Sequence, residues 1–340
     1  MYFYVHALGL SSRALNCSHL RRFTVLGMGG EMAVQYFVKF AFFNAIKARL
    51  LNRYKNMKIA FLGPEGSYSH LAAKEFLKAE ATGQSTVNWD ECVPFRNFPE
   101  VLAAVENGRV DAAAIPIENS LQGGVSQNLD LLQSASNLYA VKELIVRIEH
   151  RLIYKEGTPL SQIGRVYSHR QALDQCAGFL SREMPFAALR ETESTGFGIS
   201  RAMEDETGKS AAIAGAHTEN LRGGFVLGKT SISDEPNNFT QFLLIKKGEN
   251  SLPKNGQKLF FSLVGPHRPG GLLGLLGVIA SYGVNLTKIE SRPVKDRPGE
   301  YRFFVEAECD VANAETQNML SKIRENALEC KLLGVYCKAE

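Results

Sequence analysis

The chain has 340 residues, 45% hydrophobic, 9% aromatic and 22% charged, with a formal net charge of +4. That mix excludes a largely disordered chain, a collagen-like repeat and a disulfide-dense scaffold, and the length favours two or three domains over one core. The positive excess is local: residues 1–56 carry Arg13, Arg21, Arg22, Lys39, Lys47, Arg49, Arg53 and Lys55 against Glu31 alone, so the remainder is mildly acidic, which argues against a nucleic-acid binder.

Residues 1–56 read as a basic leader outside the fold. The apolar stretch 33–51 is broken by Lys39 and Lys47, too soon for a membrane-spanning helix, and no small-residue cleavage site follows a compact apolar run. A start codon assigned too early is the favoured reading, with Met57 as the functional start. A targeting segment for organellar import is the alternative to a cytoplasmic location. The six cysteines form no C-x-x-C pair and have no close histidines at zinc spacing, so reduced thiols are expected and a metal site is not.

From Met57 the chain alternates short apolar runs with helical patterns. Residues 58–62 predict a buried strand that ends at Gly63-Pro64, and a helix follows from about His70, with Ser67 or Ser69 as its cap. Residues 98–108 predict a helix, 110–117 a strand, and 126–132 a helix after Gly123-Gly124. Residues 139–154 predict strands, 166–168 a strand, 171–182 one helix, and 196–206 another. Residues 211–214 and 242–245 predict further strands. Strands separated by helices imply two α/β lobes facing a cleft, the architecture of solute-binding proteins. Residues 248–257 are polar and read as a linker between a catalytic domain over 57–247 and a second domain over 258–340. The second domain predicts βαββαβ, a ferredoxin-like sandwich.

Four polar clusters each follow a strand and open a helix: residues 66–69, 118–120 with Gly123-Gly124, 168–171, and 193–195. Exposed N–H groups and the positive helix end favour anions there, although the same residue types also serve as plain caps. The cleft is therefore expected to take a small carboxylate-bearing ligand. There is no P-loop, no G-x-G-x-x-G and no H-E-x-x-H.

Read together, several strings resemble prephenate dehydratase: IAFLGPEGSYS at 59–69, IPIENS at 115–120, YSHRQAL at 167–173, TEST at 192–195, NFTQF at 238–242 and ESRP at 290–293. The resemblance covers residues 58 to about 336, and nothing in 1–56 looks like the chorismate mutase domain that precedes some members. It implies a two-lobed catalytic domain and a C-terminal ACT domain. It also implies decarboxylating dehydration of prephenate to phenylpyruvate, inhibition by phenylalanine at an ACT dimer interface, a homodimer or homotetramer, and no cofactor or metal.

By the same resemblance, Thr240 is the residue tied to departure of the substrate hydroxyl, acting within a network tuned by Glu118 and Glu193. Ser67, Asn119, Ser168, Gln175, Ser194, Thr195, Gln241 and Phe242 fall at substrate-binding positions. Gly270, Gly271 and Leu272 with Glu290, Ser291, Arg292 and Pro293 are expected to hold phenylalanine. Two positions depart from the family pattern. Gln241 replaces the usual Arg, and Arg170 stands where Pro is usual, so Arg170 is expected to supply the displaced cation. Two other readings share the fold: arogenate dehydratase, and a non-catalytic amino-acid sensor.

Overall fold

The computed structural model describes residues 57–80, 91–219, 221–251 and 253–337. The basic leader lies outside the described residues. Among the described residues no helix is long and apolar enough to cross a membrane.

The first lobe is built on β1 (Ile59–Leu62), α1 (Tyr68–Glu80), β2 (Cys92–Phe95), α2 (Phe98–Glu106), β3 (Ala112–Asn119), β4 (Gly123–Gly124), α3 (Ser126–Ser134) and β5 (Leu138–Arg147). Both faces of β1 and of β3 up to Ile117 are covered, so these stretches are apolar throughout rather than alternating. Ile59, Phe61, Ala112 and Ala114 pack with Ala72, Phe76 and Leu77 of α1. Ala60, Ala113, Ile115 and Ile117 turn the other way, towards Val101 and Val105 of α2 and Leu129 of α3. Asn97 starts α2, its side chain accepting from the Glu100 N–H at 2.9 Å.

The second lobe contains β6 (His150–Lys155), β7 (Arg165–Ser168), α4 (Arg170–Asp174), α5 (Ala177–Glu183), β8 (Ala188–Glu191), α6 (Thr195–Met203), β9 (Ser210–Gly215) and β10 (Phe225–Leu227). Its five strands run in the order β10-β6-β9-β7-β8. The single helix expected over 171–182 is two. Asp234 takes the first N–H groups of the second one, its carboxylate accepting from Gly178 at 2.8 Å and Phe179 at 3.0 Å. A carboxylate satisfies free N–H groups only where a helix starts, so the chain breaks at Gln175-Cys176.

The chain then returns to the first lobe as β11 (Phe239–Lys247), between β5 and β3 and antiparallel to both. The C-terminal module follows as β12 (Lys258–Val264), α7 (Gly271–Ser281), β13 (Asn285–Pro293), β14 (Tyr301–Glu308), α8 (Ala314–Asn326) and β15 (Glu329–Tyr336), the βαββαβ order expected. Its helices cover one sheet face, where Leu259, Phe261, Leu263, Val305 and Ala307 meet Leu275, Ile279, Met319 and Ile323. The opposite face supplies Phe260, Phe304 and Tyr336 to the core of the first lobe. The two sheets join where Gly334 of β15 lies beside Ala140 of β5, giving the order β13-β14-β12-β15-β5-β11-β3-β1-β2.

Candidate active site

Thr240 and Asn119 are register partners on β11 and β3, and both are buried. Their strands reach each other through a bulge. Thr240 pairs with Asn119 and Gln241 with Glu118, but Phe242 pairs with Pro116, so Ile117 is the extra residue. An extra residue inverts the alternation of side chains. Asn119 therefore shares the Thr240 face, and Glu118 turns to the other.

The Asn119 amide donates to the Thr240 hydroxyl at 3.0 Å and to Asn238 Oδ1 at 2.7 Å, while its oxygen accepts from the N–H groups of Leu121 and Gln122, both at 3.1 Å. Asn238 Nδ2 donates to Gln175 Oε1 at 3.2 Å, and the same oxygen lies 2.8 Å from His150 Nε2. Because Gln175 Oε1 can only accept, His150 carries its proton on Nε2. A chain of side chains thus runs from Thr240 in the first lobe to Gln175 in the second. Two donors remain unused at its ends. Thr240 accepts from Asn119 and gives its own proton to no acceptor among the described residues, and the buried Gln175 Nε2 has no partner.

The lobes also touch directly. Gln171 Nε2 donates to Gln122 Oε1 at 2.8 Å, and His217 Nε2 donates to the Gly66 carbonyl at 3.0 Å. A Cβ on Gly196, in the first turn of α6, would lie 3.2 Å from Pro64, so that helix start meets the loop that leads into α1. Tyr68 holds the crossing between lobes, donating to the Glu149 carbonyl at 2.6 Å and accepting from the Glu149 N–H at 2.8 Å. Burial pushes the Tyr68 phenol up to about 12, so it stays protonated. Burial holds His70, His150 and His217 below the ordinary histidine value.

The structure brings Asn119, Gln175 and Thr240 into one network and disperses other expected residues. The Glu118 carboxylate binds the ammonium of Lys288 in the C-terminal module, on the far side of the strand from Thr240. Gln241 lies on that same side, donating to Glu143 Oε2 at 3.0 Å and Glu306 Oε1 at 2.7 Å. Phe242 is core, packed with Phe61 and Phe76. Ser168 is fully buried and donates to the Ile213 carbonyl at 2.8 Å, which joins β7 to β9 rather than serving the cleft.

Arg170 begins α4 at the second lobe's surface. It is exposed and neutralised by Asp174 at 3.1 Å and Glu191 at 3.8 Å. Ser67 accepts from the His70 N–H at 3.2 Å and Ser194 from the Phe197 N–H at 3.1 Å, so both are helix caps, and Thr195 begins α6. Glu193 is exposed and, with Thr192, borders an open pocket of about 740 Å³ also lined by Tyr167, His169 and Arg190.

In the C-terminal module Gly270 has φ 78° and Gly271 opens α7, where a Cβ would lie 2.1 Å from the Pro266 carbonyl oxygen; only glycine fits. Leu272 packs into the module's core. Glu290 and Arg292 both face the first lobe: Ser126 Oγ donates to Glu290 at 3.3 Å and Arg292 Nη2 to Asp130 at 3.0 Å. Ser291 and Pro293 alternate to the exposed side. Sequence reasoning missed Asn238, His150, His217 and Tyr68. Asn238 and Tyr68 carried a signal, as members of the NFTQF and IAFLGPEGSYS strings, and His150 and His217 carried none.

Two α/β lobes closed on a buried amide network, with a βαββαβ module fused to one of them, define a cleft enzyme joined to a small-molecule-binding domain. A prephenate dehydratase family model matches residues 59–250, and an ACT domain model matches residues 261–324. A bifunctional chorismate mutase/prephenate dehydratase of Aquifex aeolicus is 32% identical over 87% of this chain and 78% of its own. A prephenate dehydratase of Arthrobacter aurescens, solved in complex with L-Phe, has a TM-score of 0.72 at 28% identity, over 83% of this chain and 90% of that one. A protein described as a novel type of quorum-quenching acylase superposes with a TM-score of 0.70 at 26% identity, over 83% of this chain and 98% of that one. The chain belongs to the prephenate dehydratase family, lyases that convert prephenate to phenylpyruvate in phenylalanine biosynthesis, and it carries an ACT domain.

Proposed function

We propose that dehydration takes place against Thr240 and Gln175. The observation that carries this reading is the pair of unused donors at the ends of the Thr240–Asn119–Asn238–Gln175 network. Prephenate is a cyclohexadienol with a ring carboxylate and a hydroxyl at opposite ends of the diene. The bond to the carboxylate breaks, carbon dioxide leaves, and the bond's electron pair moves through the diene. The carbon–oxygen bond opposite breaks, and the departing hydroxyl takes a proton drawn from solvent and leaves as water. The ring becomes aromatic, so the driving force lies in the substrate, and the protein has to steady the oxygen as negative charge develops on it. Thr240 serves this because Asn119 occupies its lone pair and leaves its proton outward. The Gln175 N–H groups orient the ligand. The starts of α1 and α6, which meet at Pro64 and Gly196, supply N–H groups for carboxylates.

Because Gln241 points away from the cleft, its replacement of Arg takes no cation from the substrate, which favours prephenate over arogenate. Acyl transfer requires a nucleophile beside a base. Among the described residues no Ser, Thr or Cys side chain hydrogen-bonds a histidine ring, and burial pushes the Cys92 and Cys176 thiols up to about 11 and about 12. The corner at Gly270–Leu272 and the exposed Ser291 are the proposed phenylalanine site, completed by a second copy of the chain. The five cysteines among the described residues are unpaired, which suits a cytoplasmic setting.

The test is phenylpyruvate formation by the full chain and by Thr240→Val, with prephenate, with arogenate and with added phenylalanine. Thr240→Val is expected to lower kcat about a hundredfold or more, and Thr240→Ser to recover part of it. A Thr240→Val enzyme with unchanged kcat refutes the assignment of Thr240.

A further inference from the structure

Behind the Thr240–Asn119 pair lies a second pair with no part in the cleft. Gln241 and Glu118 are register partners one residue along, on the opposite face. They meet β13 and β14 of the ACT domain, where Lys288 and Glu306 are register partners in their turn. Lys288 binds the Glu118 carboxylate, and Gln241 donates to Glu306 at 2.7 Å. Two cross-strand pairs from different domains therefore face each other as a square. Lys288 and Glu306 are both buried, and Glu306 is held further by the Tyr336 hydroxyl and by Thr287 at 3.1 Å.

Both ladders are irregular where they meet. On β3 the extra residue is Ile117, next to Pro116, which has no N–H to give. On β13 the pairing slips between Leu286 and Lys288, so Leu286 packs with the ACT helices while Lys288, two residues on, faces the first lobe. A bulge leaves one residue unpaired and breaks the ladder locally, so the contact of Asn119 with Thr240, which sits beside it, gains from side chains that hold the two strands from outside.

We propose that Lys288 and Glu306 are positioning residues for the dehydration, ACT-domain side chains that grip Glu118 and Gln241 from behind. By doing so they set the Asn119–Thr240 contact. The inference rests on the reading of Thr240 given above. It also names a route for regulation: a ligand that shifts β13 against β14 moves the two anchors of the catalytic pair.

The experiment uses the full chain with Lys288→Met, which keeps the buried stem and removes the charge. Its kcat for prephenate is expected to fall about ten- to a hundredfold, the scale of a sub-ångström to ångström misplacement, while KM changes little and Lys288→Arg restores turnover. Amide hydrogen exchange without ligand is expected to speed up in residues 117–120 and 239–242, in the other domain. Glu118→Gln, which alters only a half-buried carboxylate, is expected to reproduce both effects and serves if Lys288→Met does not fold. A wild-type kcat or wild-type exchange in these segments overturns the proposal. If the unaltered chain converts no substrate, the Thr240 reading fails and exchange alone judges the square.

Discussion

Gln175 shows how a single amide is aimed. Its oxygen is taken by Asn238 and His150, which forces its nitrogen to point elsewhere, and that buried nitrogen has no protein partner among the described residues. His150 is thus the group that keeps Gln175 from rotating end over end. His150→Leu removes the lock and is expected to raise KM for prephenate several-fold and lower kcat about tenfold. His150→Gln places an N–H where Nε2 was and should recover most of both, as steady-state assays on the two variants will tell. Asn119 and Thr240 were legible because each stands in a family string, and Gln175 because it follows one by two residues. The orientation of Glu118 was not. Simple alternation from Ala112 and Ala114 puts Glu118 on the α1 face with Thr240, and only the bulge at Ile117 reverses it. No residue type announces such a bulge.

At the scale of elements, strands and helices followed from apolar runs and caps wherever local pattern decided. The long helix expected over 171–182 failed because a distant carboxylate, Asp234, cuts it in two, and a residue some sixty positions away is invisible to local periodicity. The end of β3 was read as loop because Glu118 and Asn119 are polar, yet both belong to the ladder. The ACT domain also finishes an element it does not own: Lys331 donates to the carbonyls of Leu132 at 3.0 Å, Gln133 at 2.6 Å and Ala135 at 2.5 Å, satisfying the end of α3. Nearby, Gly334 passes so close to β5 that a Cβ would lie 2.5 Å from the Ala140 Cβ and 2.6 Å from its carbonyl oxygen. Gly334→Ala must push β15 off β5. It is expected to cost about 1–3 kcal/mol and to loosen Lys331, both visible in denaturant unfolding and in amide exchange at 132–140.

Across the whole molecule, the division into a two-lobed part and a βαββαβ part was legible from the order of elements. Their fusion into one continuous sheet was not, since it depends on a close approach at a single glycine. The closed arrangement of the lobes carries a pH signature. His217 ties Gly66 across the cleft, His150 sits where the lobes join, and His70 stacks on Phe61 with ring centroids 4.7 Å apart. All three are held by burial below the ordinary value of 6.5. The unfolded chain therefore binds more protons than the fold below that pH, so their contribution is complete above 6.5 and declines as pH falls from there toward the folded-state values. Melting temperature should drop between pH 7.5 and 5.5, and less steeply in His217→Gln, which keeps a neutral donor toward Gly66.

Asn238 lies on the return crossing, where its carbonyl accepts from Ile148 at 2.8 Å while its side chain reaches Asn119 on one side and Gln175 on the other. Parting the halves stretches one of those two side-chain bonds. On the proposed reading of Thr240, opening disarms the enzyme and closing rearms it. Water entering the open mouth meets a threonine that has lost its alignment, so readiness to react is tied to the presence of something worth enclosing.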